Sequence, residues 1–287
     1  MLNYFSKSKK EGIFVYKLIA SDLDGTLLAT DRTLSERNKA AIKKFKDLGV
    51  IFSVSSGRAL YEIPPFVLEN PDIRYIAYSN GSAVFDKEIS RDIISFRISN
   101  EYACRVLDVL SKYSVLISAH VGGHAYFDKN RTSIEEFRHY KVNDYYREVL
   151  LNETEMTDDM EGVIRRAPGM ESFVLFFSDD REMETCRKEL SALPGISITS
   201  SVAHNIEICS DKAQKGNALT ALADFLGIKT DEIIAVGDNT NDTSMFRGVG
   251  LALCTAGATP DAKALADEVI CENDEHVAEY ILNRYFN

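Results

Sequence analysis

FVYKLIASDLDGT, residues 14–26, decides the fold. From Phe14 to Ala20 the chain is almost continuously apolar and rich in β-formers, the pattern of a strand buried on both faces of a parallel sheet. The run stops at Ser21-Asp22, and a second carboxylate, Asp24, follows before Gly25 and Thr26 turn the chain. In a strand, residues two apart share a side, so both acids are expected at one side of the sheet's carboxyl edge. Two such charges about 4 Å apart repel by about 4 kcal/mol at an effective dielectric near 20, which a bound divalent cation would relieve. Taken alone, the motif also fits a solvated Asp-x-Asp-Gly turn.

Downstream, the grammar is that of alternating strands and helices. Ser35 is placed to cap a helix with Ala41, Phe45 and Leu48 on one face and Gly49 as its stop. Strand Val50 to Ser55 follows, then a short helix near Leu60 broken by Pro64-Pro65, then the run Tyr75 to Tyr78 and a turn at Asn80-Gly81. The pattern returns near the C-terminus. Lys215 to Leu226 reads as a helix with Ala218, Leu219, Leu222 and Phe225 inward and Gly227 closing it. Strand Ile233 to Val236, strand Gly250 to Leu253, a Thr259-Pro260 helix start, Val269-Ile270 and a helix from Asp274 to Tyr285 complete the set. The sequence therefore predicts an α/β fold, a doubly wound Rossmann-like parallel sheet that binds ligands beyond the carboxyl ends of its strands.

The middle third has a different texture. Val115 to His120 and His124 to Phe127 alternate around Gly122-Gly123, as in an antiparallel hairpin. Val174 to Phe177, a helix from Asp179-Asp180 to about Leu190, and short strands Ile196 to Thr199 and Asn205 to Ile208 follow. The expected organisation is a discontinuous core, residues 1–86 and 210–287, interrupted by an α+β cap at 87–209. Residues 1–16 are expected to form a mobile N-terminal extension.

Further chemistry-bearing residues fall at the ends of predicted strands. Gly237-Asp238-Asn239-Thr240-Asn241-Asp242 follows strand Ile233 to Val236, and its oxygen donors suit magnesium, which binds through one or two carboxylates plus substrate phosphate. The spacing and distal Glu of a calcium loop are missing. Ser56-Gly57-Arg58 follows the second strand and is expected to begin a helix whose free N–H groups and hydroxyl hold a phosphate. Lys215, before Gly216 at a helix start, supplies a point charge. Each signal alone is common; their conjunction in this order is specific.

With these residues in view, the sequence resembles the haloacid dehalogenase-like hydrolase superfamily, in particular its Cof-type branch with a large inserted cap. The family's motifs match Asp22 to Thr26, Ser56 before Gly57-Arg58, Lys215 before Gly216, and Gly237 to Asp242; the Asn80-Gly81 turn and the Glu207-Ile208 pair also match the branch. The resemblance implies that Asp22 is a nucleophile and Asp24 a general acid and base. It places Ser56, Lys215 and Asn241 on the transferring phosphoryl group, with Gly57 and Arg58 beside them. It also implies Mg2+ bound by Asp22, the backbone carbonyl of Asp24, Asp238 and Asp242. The implied activity is a phosphatase acting on a small phosphorylated metabolite, a sugar phosphate first, with a phosphomutase or a non-catalytic sugar-phosphate sensor as alternatives. Two departures stand out. Leu253 to Ala258 lacks the branch's asparagine, and His276 stands where a glycine is expected.

Composition narrows the partners. The 287 residues are 45% hydrophobic, enough for a large core, and 33 basic against 44 acidic side chains give a net charge of −11, which repels nucleic acids and anionic lipids. Five scattered cysteines without a CxxC pair fit a reducing, cytoplasmic setting. No apolar run approaches the roughly 18 residues of a membrane helix. His120 and His124 flank a turn and are expected in structural contacts. The acidic stretch 158–161 is expected as a solvated loop, Phe173 to Phe177 as cap core, and Cys254 as a small buried hydrophobe.

Overall fold

The computed structural model describes residues 16–200 and 202–286; the expected N-terminal extension, with Phe14 and Val15 of the first strand, lies outside them. The chain separates into two compact units. One ends its first segment at Ser53 and resumes at Ala223; the other is Val54–Leu222.

The first unit is built on parallel strands. Leu18–Ser21 pairs in parallel with Ile233–Gly237, Leu18 opposite Ile233 and Ser21 opposite Val236. Ile233–Gly237 pairs in turn with Leu251–Cys254, and that strand with Glu268–Val269. Along the other edge of Leu18–Ser21, Ile51 N donates to Lys17 O (2.9 Å) and Ser53 Oγ to Ile19 O (3.1 Å). The chain thus winds outward in both directions from the pair Leu18–Ser21 and Ile233–Gly237. Every residue of these two strands is buried, which is why they read as unbroken apolar runs without alternation.

Helix Glu36–Asp47 covers the sheet with Ala41, Ile42 and Phe45 buried, and Ser35 accepts from Asn38 N as its cap. Phe45 stacks on Phe52 (centroids 6.0 Å apart) and meets Phe286 edge-on (5.1 Å). Buried Asn38 ties three segments together, donating to Leu27 O (3.1 Å) and accepting from Ala278 N (3.0 Å). The final helix is shorter than the sequence predicts, Val277–Tyr285, because His276 before it adopts φ 66°, ψ 67°. An L-residue in this left-handed region costs about 1–2 kcal/mol, and glycine adopts it freely. His276→Gly is therefore expected to stabilise the protein by about 0.5–1 kcal/mol after glycine's larger chain entropy is deducted, read as a higher thermal midpoint. A lower midpoint would mean that imidazole contacts outweigh the strain.

In the second unit, Ile73–Tyr78, Ala83–Asp86 and Arg91–Ser95 form an antiparallel meander, and Ser56 N donates to Ala77 O (2.8 Å). Residues 100–210 hold a six-stranded sheet in the order Ile196–Thr199, Asn205–Ser210, Ser172–Phe177, Val115–Val121, His124–Asp128, Glu155–Thr157. The Gly122-Gly123 hairpin is present as the sequence predicts, with Val121 opposite His124. Strand alternation sends Phe173, Leu175 and Phe177 into a core with helices Asn100–Leu110, Met160–Arg166 and Asp180–Leu190. Phe176 goes to the opposite face, against Phe127, Phe137, Tyr140 and Leu150.

Phe225 and the acidic stretch also depart from the sequence reading. Phe225 is 57% exposed, because the buried stripe of helix Lys215–Leu226 runs through Leu219, Leu222 and Ala223 and leaves Phe225 at its edge in the last turn. The acidic stretch 158–161 is largely solvent-facing as expected, but only Asp158 and Asp159 are loop, and Met160 and Glu161 open a helix. Asp159 accepts from Gly162 N to cap helix Met160–Arg166, and Asp158 pairs with Lys129 (2.5 Å).

Candidate active site

Asp22 extends the ladder of the first strand by one step, its N–H donating to Val236 O (2.9 Å). Asp238 follows Gly237 at the end of the neighbouring strand. Both acids therefore leave the carboxyl edge where strand order reverses, the place at which open α/β sheets bind ligands. Asp242 joins them: one carboxylate oxygen from each of Asp22, Asp238 and Asp242 lies within 4.8 Å of the others. Asp22 and Asp242 are buried and Asp238 partly so, which removes the water that would screen their mutual repulsion. Hard carboxylate oxygens so placed fit a hard divalent cation. Asp242 also folds its own loop, Oδ2 accepting from Asp238 N (3.0 Å) and Asn239 N (2.9 Å).

Asp24 is placed differently from the expectation. Regular strand ends at Ser21, and residues Leu23–Leu27 close a turn, Leu28 N donating to Leu23 O (2.9 Å), so strand alternation does not carry Asp24 to Asp22's side. Asp22 is 6% exposed, whereas Asp24 lies open to solvent, and its carboxylate is outside the cluster of three.

The turn is fastened to the second loop by groups the motifs do not advertise. Gly25 has φ 77°, and a Cβ there would lie 2.5 Å from Asp238 Oδ2. Buried Thr26 donates from Oγ1 to Asp238 Oδ1 (3.1 Å). Buried Thr255 donates from Oγ1 to Gly25 O (3.2 Å) and from N to Gly237 O (3.3 Å), and Thr259 N donates to Asp238 O (2.8 Å). The segment that departs from the branch's pattern thus holds both aspartate loops. Cys254 beside it is buried and burial raises its thiol pKa, in keeping with an inert packing role. Gly25→Ala is expected to displace Asp238 and strain the turn, lowering turnover by about 100-fold, as an ångström-scale misplacement does. A folded Gly25→Ala protein within about threefold of the parent in kcat would show that the turn tolerates the shift.

The remaining sequence candidates lie in the other unit, Asn241 excepted. Ser56-Gly57-Arg58 does not begin a helix. Ser56 Oγ accepts from Arg58 N (3.2 Å), and the next helical elements are a single turn, Leu60–Glu62, and a short separate helix, Pro65–Leu68. The reason is local: Glu62 takes Ala59 N on its carboxylate (2.8 Å) and Arg58 Nη1 on its carbonyl (3.1 Å), and Pro64-Pro65 ends the segment. The loop is instead braced by Ser79 N to Arg58 O (2.8 Å) and Asn80 N to Ser56 O (3.0 Å). Asn80 sits over Gly57, where a Cβ would lie 3.2 Å from its Oδ1. Gly81, φ 86°, lets the Gln214-Lys215 backbone approach so closely that a Cβ would lie 2.4 Å from Gln214 O. Lys215 is buried, 1% exposed, unlike an ordinary surface lysine. Asn241 is exposed in the single helical turn Thr240–Asp242. Asn80, Gly81, Thr26 and Thr255 are thus supporting residues; the Asn80-Gly81 turn signal and the first motif pointed to three of them, while the sequence marked the segment of Thr255 only as a departure and gave no sign of its bond to Gly25.

Residues 19–282 match the family model of the haloacid dehalogenase-like hydrolases. The chain is 31% identical to the 5-amino-6-(5-phospho-D-ribitylamino)uracil phosphatase YwtE of Bacillus subtilis, over 93% of this chain and 97% of the relative. It is 29% identical to the phosphatase YwpJ of the same organism, over 93% and 98% of the two chains. Among solved structures it is similar to TM0651 from Thermotoga maritima, with TM-score 0.78 and 24% identity over 94% of this chain and 97% of that one.

Proposed function

We propose, from the premise that this chain belongs to the haloacid dehalogenase-like hydrolase family, that its phosphatase chemistry depends on magnesium and runs through a phosphoryl group carried on Asp22. The observation that supports this reading best is the trio Asp22, Asp238 and Asp242 gathered at the carboxyl edge of the parallel strands. Asp22, Asp238 and Asp242, with the backbone carbonyl of Asp24, would hold the ion. When bound, it offsets the negative charge of the phosphoryl oxygens and of the attacking carboxylate.

The chain's own groups then divide the work. An Asp22 carboxylate oxygen bonds to phosphorus as the ester P–O bond breaks, and Asp24 gives its proton to the leaving oxygen. Asp24, now a carboxylate, takes a proton from the water that attacks phosphorus, inorganic phosphate departs, and the Asp22 carboxylate is restored. Ser56, Gly57, Arg58, Lys215 and Asn241 receive the role of holding phosphoryl oxygens, with charge and hydrogen bonds set in advance.

The substrate class is a small phosphorylated polyol or sugar. The activity for which the relative YwtE is named, removal of phosphate from a ribityl chain that carries a pyrimidine, makes such a pyrimidine-bearing polyol phosphate the favoured member. Residues 87–209 would act as the inserted cap that selects it. Among the described residues no helix is long and apolar enough to cross a membrane, and the acidic balance suits a small cytoplasmic metabolite over a polynucleotide. Phosphate release from a panel of phosphorylated metabolites, with and without magnesium, tests the reading; release that persists after chelation would overturn the metal dependence.

A further inference from the structure

We propose that Tyr61 and His124 form a ring-stacking platform that selects phosphate esters carrying a flat heteroaromatic ring; the proposal rests on the phosphatase reading above. Tyr61 follows directly on the Ser56–Arg58 loop, in the segment closed by the Ala59 N to Glu62 bond. Its position is set by the cap hairpin, since Tyr61 N donates to Gly123 O (3.0 Å). Gly123 is pressed so closely on Leu60 that a Cβ there would lie 2.9 Å from Leu60 Cβ. Gly123 N donates to Glu171 Oε1 (3.3 Å), and Glu171, fully buried, is held by Arg97 Nε (2.6 Å). The hairpin tip is thus anchored from below by a buried ion pair.

That anchoring brings two rings together. The imidazole of His124 stacks on Tyr61 with centroids 4.1 Å apart and an interplanar angle of 28°, and its Nδ1 pairs with Glu155 Oε1 (2.5 Å). Tyr61 nonetheless stays 56% exposed. One face of the phenol is backed by the imidazole while more than half of the residue stays exposed, which is the arrangement of a preorganised stacking surface. A planar ring placed on it gains stacking energy with little ordering cost, and it does so next to the loop proposed to hold phosphate. In a polyol phosphate that bears a pyrimidine, the pyrimidine is the group that such a platform would take. A ring-free sugar phosphate makes no use of the platform.

The test compares the phosphorylated ribitylaminouracil with ribitol phosphate, which lacks the ring, in magnesium buffer. The wild type is expected to favour the ring-bearing ester, and Tyr61→Ala to lower the ratio of the two kcat/KM values about tenfold or more through KM, the usual worth of a stacked base. Tyr61→Phe should keep the ratio, since the ring and not the hydroxyl carries it, and His124→Ala should lower it. An unchanged ratio in a folded Tyr61→Ala protein overturns the inference, as does wild-type hydrolysis of both esters without preference; either result leaves the phosphatase reading standing. Hydrolysis of neither ester, nor of any other phosphate monoester, overturns that reading and the platform with it.

Discussion

Asp22→Asn is expected to remove phosphatase activity by about four to six orders of magnitude, the scale on which a covalent nucleophile is lost, while the protein remains folded. The amide is close in shape to the carboxylate, so the Asp22 backbone bond to Val236 O and the burial of the position persist. What changes is chemistry: the neutral amide is a poor nucleophile, and one of three crowded carboxylates is gone. The same crowding gives the prediction a second, opposite sign. Without divalent metal, replacing one of three confined charges relieves repulsion, so the thermal midpoint of Asp22→Asn in chelator should equal or exceed that of the parent. Phosphate release, circular dichroism and a melting curve check the three parts. Activity within tenfold of the parent would contradict covalent catalysis through Asp22.

Asp24→Asn should separate the two half-reactions. Asp24 lies outside the carboxylate cluster and open to solvent, so its substitution leaves the trio intact. With an alkyl or sugar leaving group the first step needs a proton, and the variant should lose about two to four orders of magnitude, the usual worth of general acid catalysis. With a nitrophenyl leaving group, stable as the anion, that step is nearly spared, while removal of the phosphoryl group from Asp22 still lacks its base. A burst of nitrophenol followed by slow turnover is expected, with an acid-stable, hydroxylamine-sensitive phosphoryl label on the protein. A linear quenched-flow trace with no added phosphoryl mass would mean that Asp24 is not the shared acid and base.

Much of the fold is legible in the sequence because the strands beside the site are buried on both faces. LIAS at 18–21 and IIAVG at 233–237 leave no polar alternation to confuse the reading. The Ser35 and Thr259 caps are equally readable, since each is a local hydrogen bond between near neighbours in the chain. Readings failed where the deciding contact is distant or competes with a local one. The Ser56 loop looks like a helix start, but Glu62 and Pro64-Pro65 hold the chain in a single turn. Phe225 has the right spacing and the wrong neighbours. Thr255 grips a carbonyl far earlier in the chain, and no periodicity or capping rule marks such a partner. The stacking of Tyr61 on His124 is hidden in the same way, because it joins a loop to a hairpin tip that share no sequence signal.

The pairing of Leu18–Ser21 with Ile233–Gly237 has a consequence for how the protein comes into being on the ribosome. Synthesis is vectorial, and domains generally form as units when their parts have emerged. The first strand is made long before its partner, which, with Asp238 and Asp242, leaves the exit tunnel only after the whole of Val54–Leu222. Val54–Leu222 has all of its residues by then, while the early strand, with Ile51–Ser55 available for one edge, waits with its other edge unpaired and an apolar sequence of the kind that aggregates or recruits chaperones. Fragments truncated before residue 233 carry Asp22 without its neighbours, so the carboxylate trio forms only once synthesis has passed Asp242.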